Sequence, residues 1–251
     1  MWVALDSLLV MPNRIIAVGD IHGEFRMLEL LMNKLDVQKK DELIFVGDYI
    51  DRGPDSKAVI NEIIKLKRYK KAVTIRGNHE SMALNAIFQN KHEPLGTLET
   101  EAGKLWAWAG AHATIRSYEG FQIPRSHIEF MAHTQKYYMT EWASKVLWFV
   151  HGGFDHAYPI EEQLNHYGLD HASHNRSHLS VSEDDYIWND NDFMVCGHTP
   201  SKVVRSNRHM VCIDTGATFK NFGALTAIIF NEDGTIQFRQ VHREEVYEQG
   251  Y

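Results

Sequence analysis

The tightest constraint on the fold is an alternation in the first 90 residues. Strand-like apolar runs at Arg14–Val18, Glu42–Val46 and Lys71–Ile75 are each followed by a helical pattern, over Glu24–Leu35, Ser56–Lys67 and Ser81–Gln89. In the first two helical windows the apolar residues share one face: Met27, Leu28, Leu31 and Leu35, then Val59, Ile60, Ile63 and Ile64. Strands alternating with helices through short links imply βαβ units and a largely parallel sheet. In such sheets, reactive groups gather beyond the carboxyl ends of the strands.

Residues 92–145 break this rhythm. The stretches LWAWAGAHATIRSYEGF and HIEFMAHTQKYYMTEWA predict an aromatic-rich helical insert, its rings serving mostly as packing, before a strand at Val146–Val150. Residues 156–190 are polar and His-rich and predict a long surface loop. From Phe193 onward, FMVCG, HMVCID, ALTAIIF and TIQFRQV predict short strands of an antiparallel second sheet, with turns at Asn207-Arg208 and Asp233-Gly234. No linker divides the chain, so a single domain over 1–251 is expected. Residues 1–10 are expected to be an upstream extension, with Met11 a natural start. The opening lacks a basic segment and contains Asp6, which is not the pattern of a signal peptide.

The net charge of −7 argues against a surface that coats nucleic acid. No apolar run approaches the roughly 18 residues of a membrane helix. Cys196 and Cys212 both lie in strand-like runs and form no disulfide framework, so a reducing, cytoplasmic setting is expected. Without a heptad or an apolar stripe, the expected state is a monomer.

Five strand-like runs close in polar clusters: GDIHG at 19–23, GDYIDRG at 47–53, RGNHE at 76–80, HGG at 151–153 and GHTP at 197–200. Each alone reads as a turn. Five in order, each ending a strand, supply carboxylate, imidazole and amide oxygen, the donors of a divalent-metal site. If one carboxylate is shared, they suffice for two ions at the usual spacing of about 3.5–4 Å. No cysteine pair has zinc-finger spacing.

This ordered set resembles the metallophosphoesterase superfamily, and within it the bacterial and phage-type phosphoprotein phosphatases. IDTGATFKNFGALTA at 213–227 is similar to that family's late strand segment, so the likeness spans nearly the whole chain. The resemblance implies an α/β fold of the calcineurin-like kind: two mixed β-sheets packed as a sandwich and flanked by helices. It implies two divalent metal ions, Mn2+ foremost, with Fe or Zn2+ also compatible. Asp20, His22 and Asp48 would hold one ion; Asp48, Asn78, His151 and His198 would hold the other. The ions would activate a bridging water as nucleophile, and His79, oriented by Asp51, would be the general acid. Arg52 and Asn78 would contact the phosphate, with Arg76 and Glu80 as supports. The phage-type pattern has a second arginine after a Trp-x pair, roughly twenty residues before GHTP. Arg176 has that spacing, with His174 in the place of the Trp. Ile187-Trp188, the alternative, is followed by Asn189-Asp190. The histidines of the polar loop, His166, His171, His174 and His178, are expected to be solvated.

The implied activity is metal-dependent phosphomonoester hydrolysis. PIEEQ at 159–163 and GAHATIRSY at 110–118 resemble the protein-phosphatase branch, which favours a phosphorylated protein or peptide, with phosphoserine or phosphothreonine foremost. Dinucleoside polyphosphates such as diadenosine tetraphosphate are the alternative, for which the loop after 156 is not clearly basic. A non-catalytic phosphate-binding scaffold is the third reading.

Overall fold

The computed structural model describes residues 13–89, 98–166 and 171–247. Residues 1–10 and the 92–97 part of the expected insert lie outside them. The chain runs β1 (Arg14–Val18), α1 (Phe25–Leu35), β2 (Glu42–Phe45), α2 (Ser56–Tyr69), β3 (Lys71–Thr74) and α3 (Asn78–Gln89). Three helices follow, α4 (Glu101–Ala109), α5 (Ala111–Ser117) and α6 (Arg125–Ala132), then β4 (Tyr137–Trp142) and β5 (Lys145–Val150). The remainder is α7 (Ile160–His166), β6 (Asp192–Cys196), β7 (Arg205–Ser206), β8 (Met210–Cys212), β9 (Ala224–Asn231), β10 (Ile236–His242) and α8 (Arg243–Tyr247).

Local chemistry sets the helix limits. The Asp55 carboxylate accepts from Ala58 N and starts α2, and the Thr100 hydroxyl accepts from Gly103 N to start α4. Helix α1 ends at Asp36, whose left-handed backbone returns its N–H to Met32 O.

Two five-stranded mixed sheets result, β10-β9-β1-β2-β3 and β4-β5-β6-β8-β7. Within the first, β1, β2 and β3 are parallel while β9 and β10 are antiparallel; within the second, β5, β6 and β8 are parallel, with antiparallel β4 and β7 at the edges. Side chains alternate across each sheet. Ile15, Ala17, Ile44 and Val46 meet Leu147, Phe149, Val195 and Val211 between the sheets. Their neighbours Ile16, Val18, Leu43 and Phe45 face outward onto α1 and α2, against Met27, Leu31, Val59 and Ile63. A third apolar cluster covers the outer face of the second sheet, where Trp148, Met194 and Cys196 meet Phe154, Tyr186 and Trp188.

Three sequence expectations are corrected. The stretch expected as helix through residue 143 is helical only to Ala132; Tyr137–Trp142 is the edge strand β4, hydrogen-bonded to β5. The late strands do not form one antiparallel sheet: β6 lies parallel between β5 and β8, whereas β9 and β10 join the first sheet beside β1. Helix α3 begins at Asn78 instead of Ser81, which places Asn78 and His79 in its first turn.

Candidate active site

The parallel strands of both sheets end at one place. Asp20 follows β1, Asp48 follows β2, Asn78 and His79 open the helix after β3, and His151 and His198 follow β5 and β6. All six are buried, as is His22. The structure thus brings together every metal-ligand candidate read from the sequence.

Asp48 is the centre. Its Oδ2 lies 3.5 Å from His22 Nε2 and 3.2 Å from His151 Nε2. Ligand atoms of His22, Asp48 and His79 lie within 4.8 Å of one another, as do those of Asp48, His151 and His198. Asn78 Oδ1 lies 3.0 Å from His151 Nε2 and 2.9 Å from His198 Nδ1. The imidazoles are oriented from behind: His22 Nδ1 donates to Ile50 O and His151 Nδ1 to Val46 O, each at 2.9 Å. Each Nε2 therefore turns toward Asp48, an arrangement that fixes the tautomer a metal ligand requires.

The donor set fits divalent cations. Among the described residues, Asp20 Oδ1 and His198 Nε2 are buried without a hydrogen-bond partner, a costly state unless an ion or ligand satisfies them. Asp20 Oδ2 meanwhile accepts from His198 N at 2.9 Å and ties two of the loops together. Glycine keeps the site open: a Cβ at Gly77 would collide with Asp48 Oδ1, and one at Gly197 with Asp20 Oδ1. Backbone strain is concentrated here. Among the described residues, five of the eight non-glycine residues with positive φ are His22, Asp48, Asp51, Arg52 and His198.

The electrostatics also call for positive charge. Burial works to raise the Asp48 pKa, yet the facing His151, His79 and His22 hold it well below the carboxylate range. Burial works to lower His151, but Asp48 and Asp20 pull it up to about 10. Burial and then Asp214 push Asp20 well above its ordinary value. Burial is also the largest cause for His22, taken well below the usual imidazole value, and for His198, taken to about 3.

His79 and Asp51 form a second buried pair, with His79 Nδ1 2.7 Å from Asp51 Oδ2. Arg52 spreads its guanidinium toward two rings, Nη1 at 2.9 Å from His22 Nε2 and Nη2 at 3.1 Å from His79 Nε2. A cavity of about 560 Å³ opens over these groups, bounded by Met82, Leu105, Trp108 and Arg176. Arg176 reaches the mouth of this cavity, its Nε donating to Thr199 Oγ1 at 3.1 Å. Trp188, the alternative anchor, is buried against Tyr186 and His209.

Glu80 is a support, as expected: its carboxylate accepts from the N–H groups of Asp48, Tyr49 and Gly77. Burial, then the Asp48 charge, raises its pKa to about 7. Arg76 turns away instead, donating to Thr134 Oγ1 and to the carbonyls of Ala132 and Thr134. Its amide is held by Gln135 O, so the segment joining α6 to β4 claims it. Of the loop histidines, His171 and His174 are exposed, but His174 lines the cavity with its ring 6.0 Å from that of His198. His178 is buried, because it fills the space over Gly153 and lies 3.7 Å from Cys196 Sγ. The His166 side chain lies outside the described residues.

Three functional neighbours escaped the sequence reading. Trp106 Nε1 donates to Asp51, 2.9 Å from Oδ2, and Thr114 Oγ1 donates to Asp51 Oδ1 at 2.6 Å. Asp214, buried at the end of β8, adds negative charge behind Asp20. The sequence does hold a signal for Asp214, since HMVCID is another apolar run closing in a carboxylate.

The family model described as calcineurin-like phosphoesterase matches residues 13–230. The chain belongs to that family. Members use a binuclear divalent-metal centre, in keeping with the Asp48-centred donors. The phosphoesterase is 38% identical to serine/threonine-protein phosphatase 2 of Escherichia coli over 94 residues, 37% of this chain and 36% of that protein. It is 29% identical to the asymmetrical bis(5'-nucleosyl)-tetraphosphatase PrpE of Anoxybacillus flavithermus over 234 residues, 87% of this chain and 91% of that protein. In fold, it matches the crystal structure of a putative diadenosine tetraphosphatase with a TM-score of 0.64 at 19% identity, covering 92% of this chain and 95% of the other. A protein serine/threonine phosphatase from Saccharomyces cerevisiae matches with a TM-score of 0.57 at 15% identity, over 92% and 80% of the two chains. Among the described residues, no helix of the phosphoesterase is long and apolar enough to cross a membrane.

Proposed function

We propose that this phosphoesterase hydrolyses dinucleoside polyphosphates, with Asp48 shared by two cation sites, Arg52 clamping the phosphate and His79 as proton donor. The chemistry rests on one observation: a buried carboxylate faces His22 on one side and His151 and His198 on the other, beside the His79–Asp51 pair. The choice of substrate is supported by similarity over 87% of the chain to a nucleosyl-tetraphosphatase, whereas the match to the bacterial protein phosphatase covers 37%.

Asp20, His22 and Asp48 suit one cation, and Asp48, Asn78, His151 and His198 the other. Divalent cations there would supply an activated water and neutralise phosphate charge. The forked Arg52 guanidinium matches phosphate oxygens, and its turn toward phosphate frees the Nε2 atoms of His22 and His79. Burial alone would lower the His79 pKa, but Asp48 and Asp51 outweigh it and raise it above the usual imidazole value, which suits a proton donor. Asp51 is fixed in turn by Trp106 and Thr114, so the imidazole cannot swing away from the leaving oxygen. Arg176 at the cavity mouth is the second phosphate clamp.

A phosphoserine or phosphothreonine protein is the second reading. Leu105 and Trp108, 54% and 87% exposed at the cavity mouth, favour it, because they could seat an apolar peptide flank. The test is purified protein with Mn2+, assayed on diadenosine tetraphosphate, a phosphoserine peptide and a phosphotyrosine peptide, beside His79→Asn. Higher kcat/KM on the nucleotide supports the proposal. Turnover of the phosphoserine peptide alone replaces it with the second reading, and two bound ions without turnover on any substrate indicate a phosphate-binding scaffold.

A further inference from the structure

Arg52 is a wall between two cavities. One is the catalytic cavity. The other, about 490 Å³, lies beyond it and is bounded by Gly53, Arg116, Thr218, Lys220, Arg243 and Glu24. Four cationic groups and one carboxylate line this second cavity, on a chain whose net charge is −7. The carboxylate is already engaged: Glu24 pairs with Arg243 and accepts from the Tyr247 hydroxyl. Arg243 also donates to Ala217 O, so that pair belongs to the frame. Arg116 and Lys220 differ. Both are exposed, and among the described residues neither side chain makes an ion pair or a hydrogen bond. Among the described residues their charge has no side-chain partner, and no described contact has to break before they bind an anion.

The two cavities share a frame as well as a wall. Arg116 sits in the last turn of α5. Gly110, just before that helix, accepts from Arg52 N, and Thr114 within it donates to Asp51. The spacing between Arg116 and both Arg52 and the positioning residue Asp51 is therefore set by one short helix and the residue before it. An anion clamped at Arg52 that continues into this cavity meets the positive charge of Arg116, Lys220 and Arg243.

We propose that this second cavity is an anion subsite in which Arg116 and Lys220 hold the phosphates that follow the scissile one in a nucleoside polyphosphate. The assignment rests on the nucleotide reading of the active site and gives it a structural basis absent from the loop after residue 156. A phosphomonoester has no further phosphate to place there, so the subsite discriminates between substrate classes. Two charge-assisted contacts to adjacent phosphates act together where the ligand is preorganised by Arg52.

The test is the double variant Arg116→Ala/Lys220→Ala, assayed with Mn2+ on diadenosine tetraphosphate and on p-nitrophenyl phosphate. The ratio of kcat/KM for the two substrates should fall by about tenfold or more, mostly through KM for the nucleotide. In calorimetry on the metal-free protein, affinity for inorganic tripolyphosphate should fall by a similar factor. Equal losses on both substrates, or unchanged tripolyphosphate affinity, overturn the subsite. If the wild type hydrolyses p-nitrophenyl phosphate but not the nucleotide, the nucleotide reading fails, and the calorimetry alone then decides whether the cavity binds phosphate. A larger loss on a multiply phosphorylated peptide than on the nucleotide assigns the cavity to an acidic peptide and refutes the ligand class.

Discussion

Replacing Asp51 by Asn tests the acid-base reading at a point that touches no metal ligand. The Asp51 carboxylate is fully buried and accepts from three groups: Trp106 Nε1, Thr114 Oγ1 and His79 Nδ1. An asparagine keeps the shape but offers one acceptor oxygen and brings two new hydrogens. With the amide oxygen in the Oδ2 place, His79 and Trp106 keep their acceptor and the Thr114 hydroxyl faces the amide N–H; with the amide reversed, His79 and Trp106 face it instead. An unsatisfied buried donor costs about 1–3 kcal/mol, so the protein should remain folded while the His79 ring is held by a neutral acceptor in place of a carboxylate. Loss of the Asp51 charge also removes one of the two influences that raise the His79 pKa against burial. His79 then holds its proton less tightly, and general-acid assistance is worth about 10²–10⁴ in rate. The assay is kcat on two monoesters, an alkyl phosphate whose leaving alkoxide needs a proton and p-nitrophenyl phosphate whose leaving phenolate does not. Asp51→Asn should slow the alkyl ester by roughly 100-fold and the nitrophenyl ester by less than about tenfold. Adding His79→Asn should then cost little more, since the two residues act as one unit. Equal losses on both esters, or additive losses in the double variant, would refute the assignment of His79 as the acid held by Asp51.

Asp48→Asn should lower the metal content from two ions per chain to fewer than one by elemental analysis, because both donor groups close on that carboxylate; retention of two ions contradicts the shared-ligand geometry. Thr114→Val removes the 2.6 Å donor to the buried Asp51 carboxylate, a loss of about 2 kcal/mol that should lower Tm by about 4–8 °C in calorimetry. An unchanged Tm would mean that Asp51 gains nothing from that hydroxyl. His178 is held neutral by burial first, then by His156 and Arg205 against Asp155, with its pKa down at about 4. The unfolded imidazole, near 6.5, takes up a proton that the folded one refuses, so stability is full above roughly pH 6.5 and falls as pH drops toward 4. Over that window the wild type should lose up to about 3 kcal/mol more than His178→Gln in urea unfolding, and parallel curves for the two proteins would exclude the burial as the cause.

The candidate metal donors were legible because each combines two local signals, an apolar run and a glycine-flanked polar end. A parallel sheet brings such ends together whatever lies between them in sequence. What stayed hidden is long-range or two-sided. Trp106 and Thr114 reach Asp51 from 55 and 63 residues away, and no local pattern marks either as a donor. Strand β4 read as helix because its side chains are half-exposed on both faces, which erases the alternation of a one-sided strand. Strands β6 and β9 are both continuous apolar runs, and such a run does not say which sheet receives it. His178 looked solvated among polar neighbours, yet the gap over Gly153 gives it a buried seat.

The left-handed backbone at His22, Asp48, Asp51, Arg52 and His198 bears on how this protein could be engineered. A side chain in that conformation is disfavoured by about 1–2 kcal/mol relative to glycine. Glycine at any of these five positions would relieve the backbone while deleting a group proposed to hold a cation, orient His79 or clamp phosphate. A library screened for heat resistance alone should therefore enrich inactive proteins at these sites, and thermostability would need to be sought in the two-sheet core, with turnover kept as a second selection.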